Sequence, residues 1–474
     1  MLLKYSFEEE SNKALKNKNL QEALINTTNR FRSARNKIVS DSDNWEELRQ
    51  VARSIKEHTI NNLHNYLQLL ENNIISAGGH VHWARDSEEA CEIIRQIAQK
   101  NSVKKIVKSK SMATEEIHLN KSLESHGYSV VETDLGEYIL QLSGDRPSHI
   151  IAPAIHKTKA DISKLFSEKF NVPEYDDPQE LTSIAREKLR SEFLSADMGI
   201  SGVNFAAADT GTIAIVENEG NARLTTTLPK IHIALMGIEK IIPKFDQMGL
   251  FLKLLIGSAT GQKISTYVSL ITGPRKKGET DGPKEFHLVL LDNGRSKIMS
   301  NPNTRESLYC IRCGACLNIC PVYRKVGGHA YGGTYSGPIG AIINPQLEGI
   351  DKHPELPFAS SLCGACKDVC PVKIDFPKVL LDLRRQVIEN KSKENSRAGL
   401  IEKLSFKVWK GINKHPKLLQ LLNSIGYYMQ KPFIGNNNKI TSLPFIFSRW
   451  TKTRDLAPIP KKSFRQIWKE RNND

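Results

Sequence analysis

No stretch of this 474-residue chain approaches the ~18 consecutive apolar residues that a membrane-spanning helix requires. The opening MLLKYSFEEES sets three glutamates where a secretory leader needs an apolar run, so no export address is read and the cytoplasm is the expected location. There is no G-x-G-x-x-G after a strand and no phosphate-cradling G-x-x-x-x-G-K-S/T. G-x-S-x-G and H-E-x-x-H are also missing. These gaps leave no recognisable complete catalytic set. Acidic residues are scarce at one end of the chain only. Residues 391–474 hold 18 Lys and Arg against 5 Asp and Glu, a net +13 of the chain's +15, so the basicity belongs to that segment. It is either a solvated surface or a face for anionic lipid, RNA or an acidic protein.

What is present is an ordinary globular composition, 39% hydrophobic and 25% charged, in a chain long enough for two or three domains. Residues 1–75 carry helix-like apolar spacing, from Trp45 through Leu70 above all. From residue 76 to 298 strand and helix patterns alternate. His80–Trp83, Lys104–Val107, Tyr128–Val131 and His149–Ala152 read as strands, Asp86 as a helix start, and Thr114–His126 as one helix. A turn and strand follow over Ala206–Val216, with further strands at Ile231–Leu235 and Phe286–Leu291. Such alternation predicts a layered α/β domain with a largely parallel sheet. Residues 299–385 are rich in Cys, Gly and Pro, and 386–474 form basic helices such as Leu400–Trp409 and Leu418–Met429.

Seven of the eight cysteines fall within 61 residues. Clustered cysteines in a reducing compartment bind metal more often than they form disulfides. Cys310-Ile-Arg-Cys313-Gly-Ala-Cys316-Leu-Asn-Ile-Cys320-Pro321 is the C-x2-C-x2-C-x3-C-P run of bacterial ferredoxins, whose fourth cysteine serves the other cluster of a pair. Cys363-Gly-Ala-Cys366-Lys-Asp-Val-Cys370-Pro371 repeats its second half, and Ser360 stands where the first cysteine would be. Cross-ligation gives Cys310, Cys313, Cys316 and Cys370 to a 4Fe–4S cluster. Cys320, Cys363 and Cys366 go to a second cluster. That one is either 3Fe–4S or 4Fe–4S with a non-cysteine ligand at one iron. Paired C-x2-C units also build zinc sites, but seven cysteines with two Cys-Pro endings fit clusters better. Cys91, far away on a helix, reads as a small buried apolar residue.

Three other stretches carry polar chemistry. The glycine-dense run Gly327–Gly340, with His329, Tyr331 and Tyr335, either packs over the clusters or shapes a pocket beside them. Lys108-Ser-Lys110-Ser111 through Glu116 opens a helix and Asp209-Thr-Gly-Thr212 precedes a strand. Both read first as capping and turn chemistry, with anion binding as the alternative. His80, His82 and His156 show no metal-like spacing.

Taken together, Lys108-Ser-Lys-Ser-Met, Ala208-Asp-Thr-Gly-Thr212, the two cysteine motifs, Tyr331-Gly-Gly-Thr-Tyr335-Ser-Gly-Pro-Ile-Gly340 between them, and Asp455-Leu-Ala-Pro-Ile-Pro460 with Phe464 and Trp468 make the chain resemble the lactate utilization protein B family almost end to end. The resemblance implies an N-terminal lactate-utilization α/β domain akin to sugar-phosphate isomerases and CoA-transferases. It also implies an α-helical, ferredoxin-like two-cluster module and a basic helical C-terminal region. It implies a role in oxidising L-lactate to pyruvate beside two partners, a cysteine-rich subunit and a smaller protein with a related lactate-utilization domain. The leading expectation is an electron-transfer subunit of that system whose basic segment docks a partner or the inner face of the membrane. The alternatives are that this chain itself oxidises lactate, or that it is a cluster-based sensor of nucleic acid, for which no recognition module is present.

Overall fold

The computed structural model describes the backbone of residues 6–393, 397–444, 447–452 and 454–471; side chains of 391–393, 397–403 and 449 are not described. Residues 1–5 of the opening stretch therefore lie outside the described residues. Two compact units result, residues 1–387 and 388–474.

The first unit begins with four helices, α1 (Phe7–Lys16), α2 (Lys18–Ser40), α3 (Trp45–Asn61) and α4 (Leu63–Ser76). The Ser6 hydroxyl accepts the Glu9 amide, and Glu8, Glu9 and Glu10 sit in the first turn, so cap and dipole both favour starting α1 there. Along α4 the buried residues are Leu63, Leu67, Leu70 and Ile74, an apolar stripe at helical spacing.

Ten strands follow: β1 (His80–Ala84), β2 (Lys105–Lys108), β3 (Ser129–Glu132), β4 (Met198–Gly202), β5 (Phe205–Ala207), β6 (Thr212–Glu217), β7 (Ile231–Gly237), β8 (Ile241–Ile242), β9 (Tyr267–Ile271) and β10 (Glu285–Leu291). The main sheet runs β1-β10-β7-β4-β2-β3, parallel throughout. Every residue of β7 is buried, which its near-continuous apolar sequence explains, because helices cover both faces of a parallel sheet. The order places a switch between β2 and β4. From β2 the chain goes outward to β3, and from β4 it builds toward β7 and β10. A second sheet, β8-β5-β6-β9, is mixed. Sequence patterning reads a turn and the strand β6 but neither β5 nor the departure of these strands from the main sheet.

Two expectations are corrected. His149–Ala152 is a bend rather than a strand. The His149 imidazole is the reason, for its Nδ1 accepts the amides of Ile151 at 3.0 Å and Ala152 at 3.1 Å. Thr114–His126 is broken into helices Met112–Glu116 and Leu119–Glu124, with His118 left-handed at φ 51° between them.

The cysteine segment is not a bead on a string. Its buried residues, including Cys313, Cys316, Leu317 and Tyr331, share one continuous core with α2, α3, α4 and the second sheet. Residues 388–474 form a separate unit with helices Arg397–Lys414, Pro416–Met429 and Phe464–Arg471. Among the described residues no helix is long and apolar enough to cross a membrane.

Candidate functional site

The two cysteine motifs use one backbone template. In the first, Arg312 is left-handed at φ 62° and Gly314 at φ 75° caps the short helix Ala315–Ile319. In the second, Leu362 has φ 56° and Gly364 φ 84° ahead of helix Ala365–Val369. Glycine at the cap relieves the cost of that conformation. The curl aims amides at sulfur: Arg312 N–H lies 3.4 Å from Cys310 Sγ. At the matching place Leu362 N–H lies 3.1 Å from Ser360 Oγ. Ser360 is therefore the positional counterpart of Cys310 in space as well as in sequence. The motifs also end alike, with Tyr323 N–H 3.5 Å from Cys320 Sγ and Ile374 N–H 3.4 Å from Cys370 Sγ.

Cys310, Cys313, Cys316 and Cys370 line one small space whose other walls include Ile150, Ile339 and Phe376. Cys320, Cys363 and Cys366 are neighbours of one another, and Cys366 also lies near Cys316. Cys363 is exposed, whereas the other two of that set are buried. Cys91 is buried on its helix, away from both sets, as expected.

The donor chemistry suits iron–sulfur clusters. Burial and repulsion from neighbouring sulfurs push the Cys313 thiol up to about 12, and burial with repulsion from Cys320 and Cys363 does the same to Cys366. Sulfurs so placed become thiolates only against strong positive charge such as bound iron. Their spacing argues against a single zinc ion, whose ~2.3 Å bonds hold tetrahedral sulfurs ~3.8 Å apart. Among the described residues no three cysteine sulfurs all lie within 4.8 Å of one another.

Residues remote in sequence hold these loops. Arg49 of α3 donates to the Cys370 carbonyl from Nε at 3.0 Å and Nη2 at 2.8 Å, and to Asp368 O at 2.7 Å. Arg35 of α2 donates to Val369 O at 3.0 Å, and Arg53 pairs with Glu306 at 3.2 Å and donates to Lys373 O. A buried ion network ties the first motif to the α/β layer. Arg295 binds Glu116 through two bonds of 2.8 Å and also binds Glu239. Glu239 reaches Arg312 at 3.3 Å, and the Tyr335 hydroxyl donates to Glu116 at 2.7 Å. Burial opposes charge on Glu239, but Arg295 and then Arg312 outweigh it and hold that carboxyl at about 2. None of these partners carries a local sequence signal, because each pair closes over dozens to hundreds of residues.

The other stretches singled out resolve as follows. Lys108 is fully buried and pairs with Glu132 at 2.8 Å and Glu115 at 3.2 Å, while the Ser111 hydroxyl caps the helix Met112–Glu116. Asp209 accepts the amide of Phe245, from a loop 36 residues on, at 2.9 Å. The glycine-dense run packs tightly: a Cβ at Gly328 would stand 1.8 Å from the Ser148 carbonyl oxygen. His329 does meet Asp145 and His156, a grouping that spacing does not reveal. Asp145 is also bound by Lys157 at 3.0 Å. His80 and His82 stack on His287 along the sheet edge.

Known family models match three successive stretches of the chain. Residues 67–291 match the LUD domain, 306–374 the 4Fe-4S dicluster domain and 382–473 the C-terminal region of lactate utilisation protein B. Curated relatives named Lactate utilization protein B come from Bacillus licheniformis, 46% identical over 99% of this chain and 97% of theirs, and Shouchella clausii, 45% identical over 99% and 97%. One from Bacillus subtilis is 45% identical over 98% and 95%. A solved structure of a DUF162 family protein from Deinococcus radiodurans aligns over 48% of this chain and 98% of that one, at 13% identity and a TM-score of 0.28.

Proposed function

The chain belongs to the lactate utilization protein B family, and from that premise we propose that it is the iron–sulfur electron-transfer subunit of a complex oxidising L-lactate to pyruvate. The observation that supports the reading is the gathering of Cys310, Cys313, Cys316 and Cys370 around one space, with Cys320, Cys363 and Cys366 close to one another and Cys363 exposed. Cys310, Cys313, Cys316 and Cys370 would hold one 4Fe–4S cluster. Cys320, Cys363 and Cys366 would hold the second, its remaining iron either absent or bound by a non-cysteine ligand. When bound, such clusters accept and release single electrons. The chain supplies the insulation and the exit: apolar residues enclose the first set, and the second opens to solvent at Cys363, where an electron partner can approach.

The expected partners are a cysteine-rich subunit and a smaller protein with a related lactate-utilization domain. The basic unit 388–474 is suited to docking, since it exposes Phe406, Trp409, Tyr428, Met429, Trp450 and Trp468 amid a large excess of cationic side chains. That surface fits an acidic partner or the anionic inner face of the membrane.

The test is lactate-dependent reduction, read by electron paramagnetic resonance on anaerobically purified protein. The reading predicts reduced-cluster signals with L-lactate only when both partners are added. Signals from this chain alone would move the oxidation itself into this subunit.

A further inference from the structure

Parallel α/β sheets bind ligands at the carboxyl ends of their strands, in the crevice where strand order reverses. Here that crevice lies between β2 and β4, whose register pairs Lys108 with Ile200. A cavity of about 260 Å³ occupies it, lined by the loops after β2, β4 and β7 and closed by Arg312 and Tyr335 of the cysteine segment.

The cavity wall holds a guanidinium with two unpaired nitrogens and an unpaired hydroxyl. Arg312 is only 7% exposed, yet its Nε and Nη1 have no partner, and only Nη2 reaches Glu239. The Ser109 hydroxyl, 2% exposed, has none either. Lys240 lines the same space. The four acids of the wall, by contrast, each accept within the protein: Glu239 from two arginines, Glu217 from the Ala222 and Arg223 amides at 2.7 Å each, Glu219 from the Leu135 amide at 3.0 Å, and Asp134 from the Glu137 amide at 3.1 Å. Buried donors without acceptors cost stability unless something fills them. A guanidinium, an ammonium and a hydroxyl around one space select an anion, and the planar guanidinium suits a carboxylate.

Size narrows the choice. At 260 Å³ the cavity falls below the ~300–1,000 Å³ of clefts that take drug-sized ligands, so it suits a small acid rather than a dinucleotide. Position adds a second constraint, because Arg312 and Ile150 also wall the space lined by Cys310, Cys313, Cys316 and Cys370. We propose that this crevice binds a small 2-hydroxy- or 2-oxo-carboxylate, its carboxylate held by Arg312 and Lys240 with the Ser109 hydroxyl donating to it. The choice of a carboxylate over inorganic phosphate rests on the electron-transfer reading above; the anion site itself does not. Binding here requires no chemistry by this chain alone.

The experiment is isothermal titration calorimetry of the full chain, purified anaerobically with its clusters, against L-lactate, pyruvate and inorganic phosphate separately. K240Q and S109A are titrated beside it, with iron content and circular dichroism confirming that each is folded and loaded. The expected result is saturable binding of lactate or pyruvate, weakened about tenfold or more in K240Q and less in S109A. Binding of phosphate alone, binding of none of the three, or unchanged affinity in both variants would overturn the proposal. Iron counting on the same samples keeps the two claims apart. A loaded protein that ignores the acids sinks the crevice assignment only, and a protein that binds acid but carries no iron sinks the electron-transfer reading only.

Discussion

The two cysteine motifs share a backbone but differ in what surrounds it. Both curl through a left-handed residue into a glycine cap and both aim an amide at the first position of the repeat. At that position the first motif has Cys310 and the second has Ser360. The first motif is locked to the α/β layer through Arg312, Glu239 and Arg295 and is walled by isoleucines. The second is held from behind by arginines of α2 and α3 and leaves Cys363 exposed. One template thus carries a cysteine in one copy and a serine in the other, and the exposure of each copy follows what packs outside the loop.

The sharpest way to break the comparison is to remove one sulfur from each set. C313S strikes a buried residue of the main core and should lower stability by on the order of 5 kcal/mol as the first cluster is lost, since metal binding and folding are linked. C363S strikes an exposed residue and should remove only the second cluster, with a smaller fall in melting temperature. Iron content and thermal melts of the two variants give the answer, and equal losses would erase the distinction.

Next in size is the buried ion network of the first motif. E239A leaves Arg295 and Arg312 buried without their shared carboxylate, and ~3–5 kcal/mol of stability should go with it in denaturant unfolding. The same carboxyl sets an acid limit. Its unfolded value is ~4.3 and its folded value about 2, so its contribution is complete above ~4.3 and is lost as pH falls toward 2. Melts between those pH values should show a steeper decline in the parent than in E239Q.

On the second motif, R49A removes charged donors from the Cys370 and Asp368 carbonyls, and ~1.5–3 kcal/mol is the expected cost. The smallest effect on stability is also the most informative about the repeat. S360C restores the missing thiol where the amide already points, so stability should change by less than ~1 kcal/mol. The second site alone should change its paramagnetic signature.

Much of this was legible in the sequence because the signals are local. Cysteine spacing and Cys-Pro endings are contiguous, and apolar periodicity marks β7, β10 and the four leading helices. What escaped is non-local. Arg35, Arg49 and Arg53 meet their carbonyls across more than three hundred residues. The partition of β5, β6, β8 and β9 into a second sheet leaves each strand's own pattern unaltered. His149–Ala152 has the composition of a strand, but an imidazole nitrogen takes two of its amides and the other nitrogen meets Asn318 at 3.1 Å. The two unpaired nitrogens of Arg312 show only once three loops and a cysteine motif close around it.

The most direct test of the central claim is iron and acid-labile sulfide counting, combined with paramagnetic resonance, on the anaerobically purified chain. Two sites of four and three cysteines predict roughly seven or eight irons with matching sulfide and two distinguishable signals. Zinc without sulfide, or iron for a single cluster that every one of the seven cysteines is needed to retain, would contradict it.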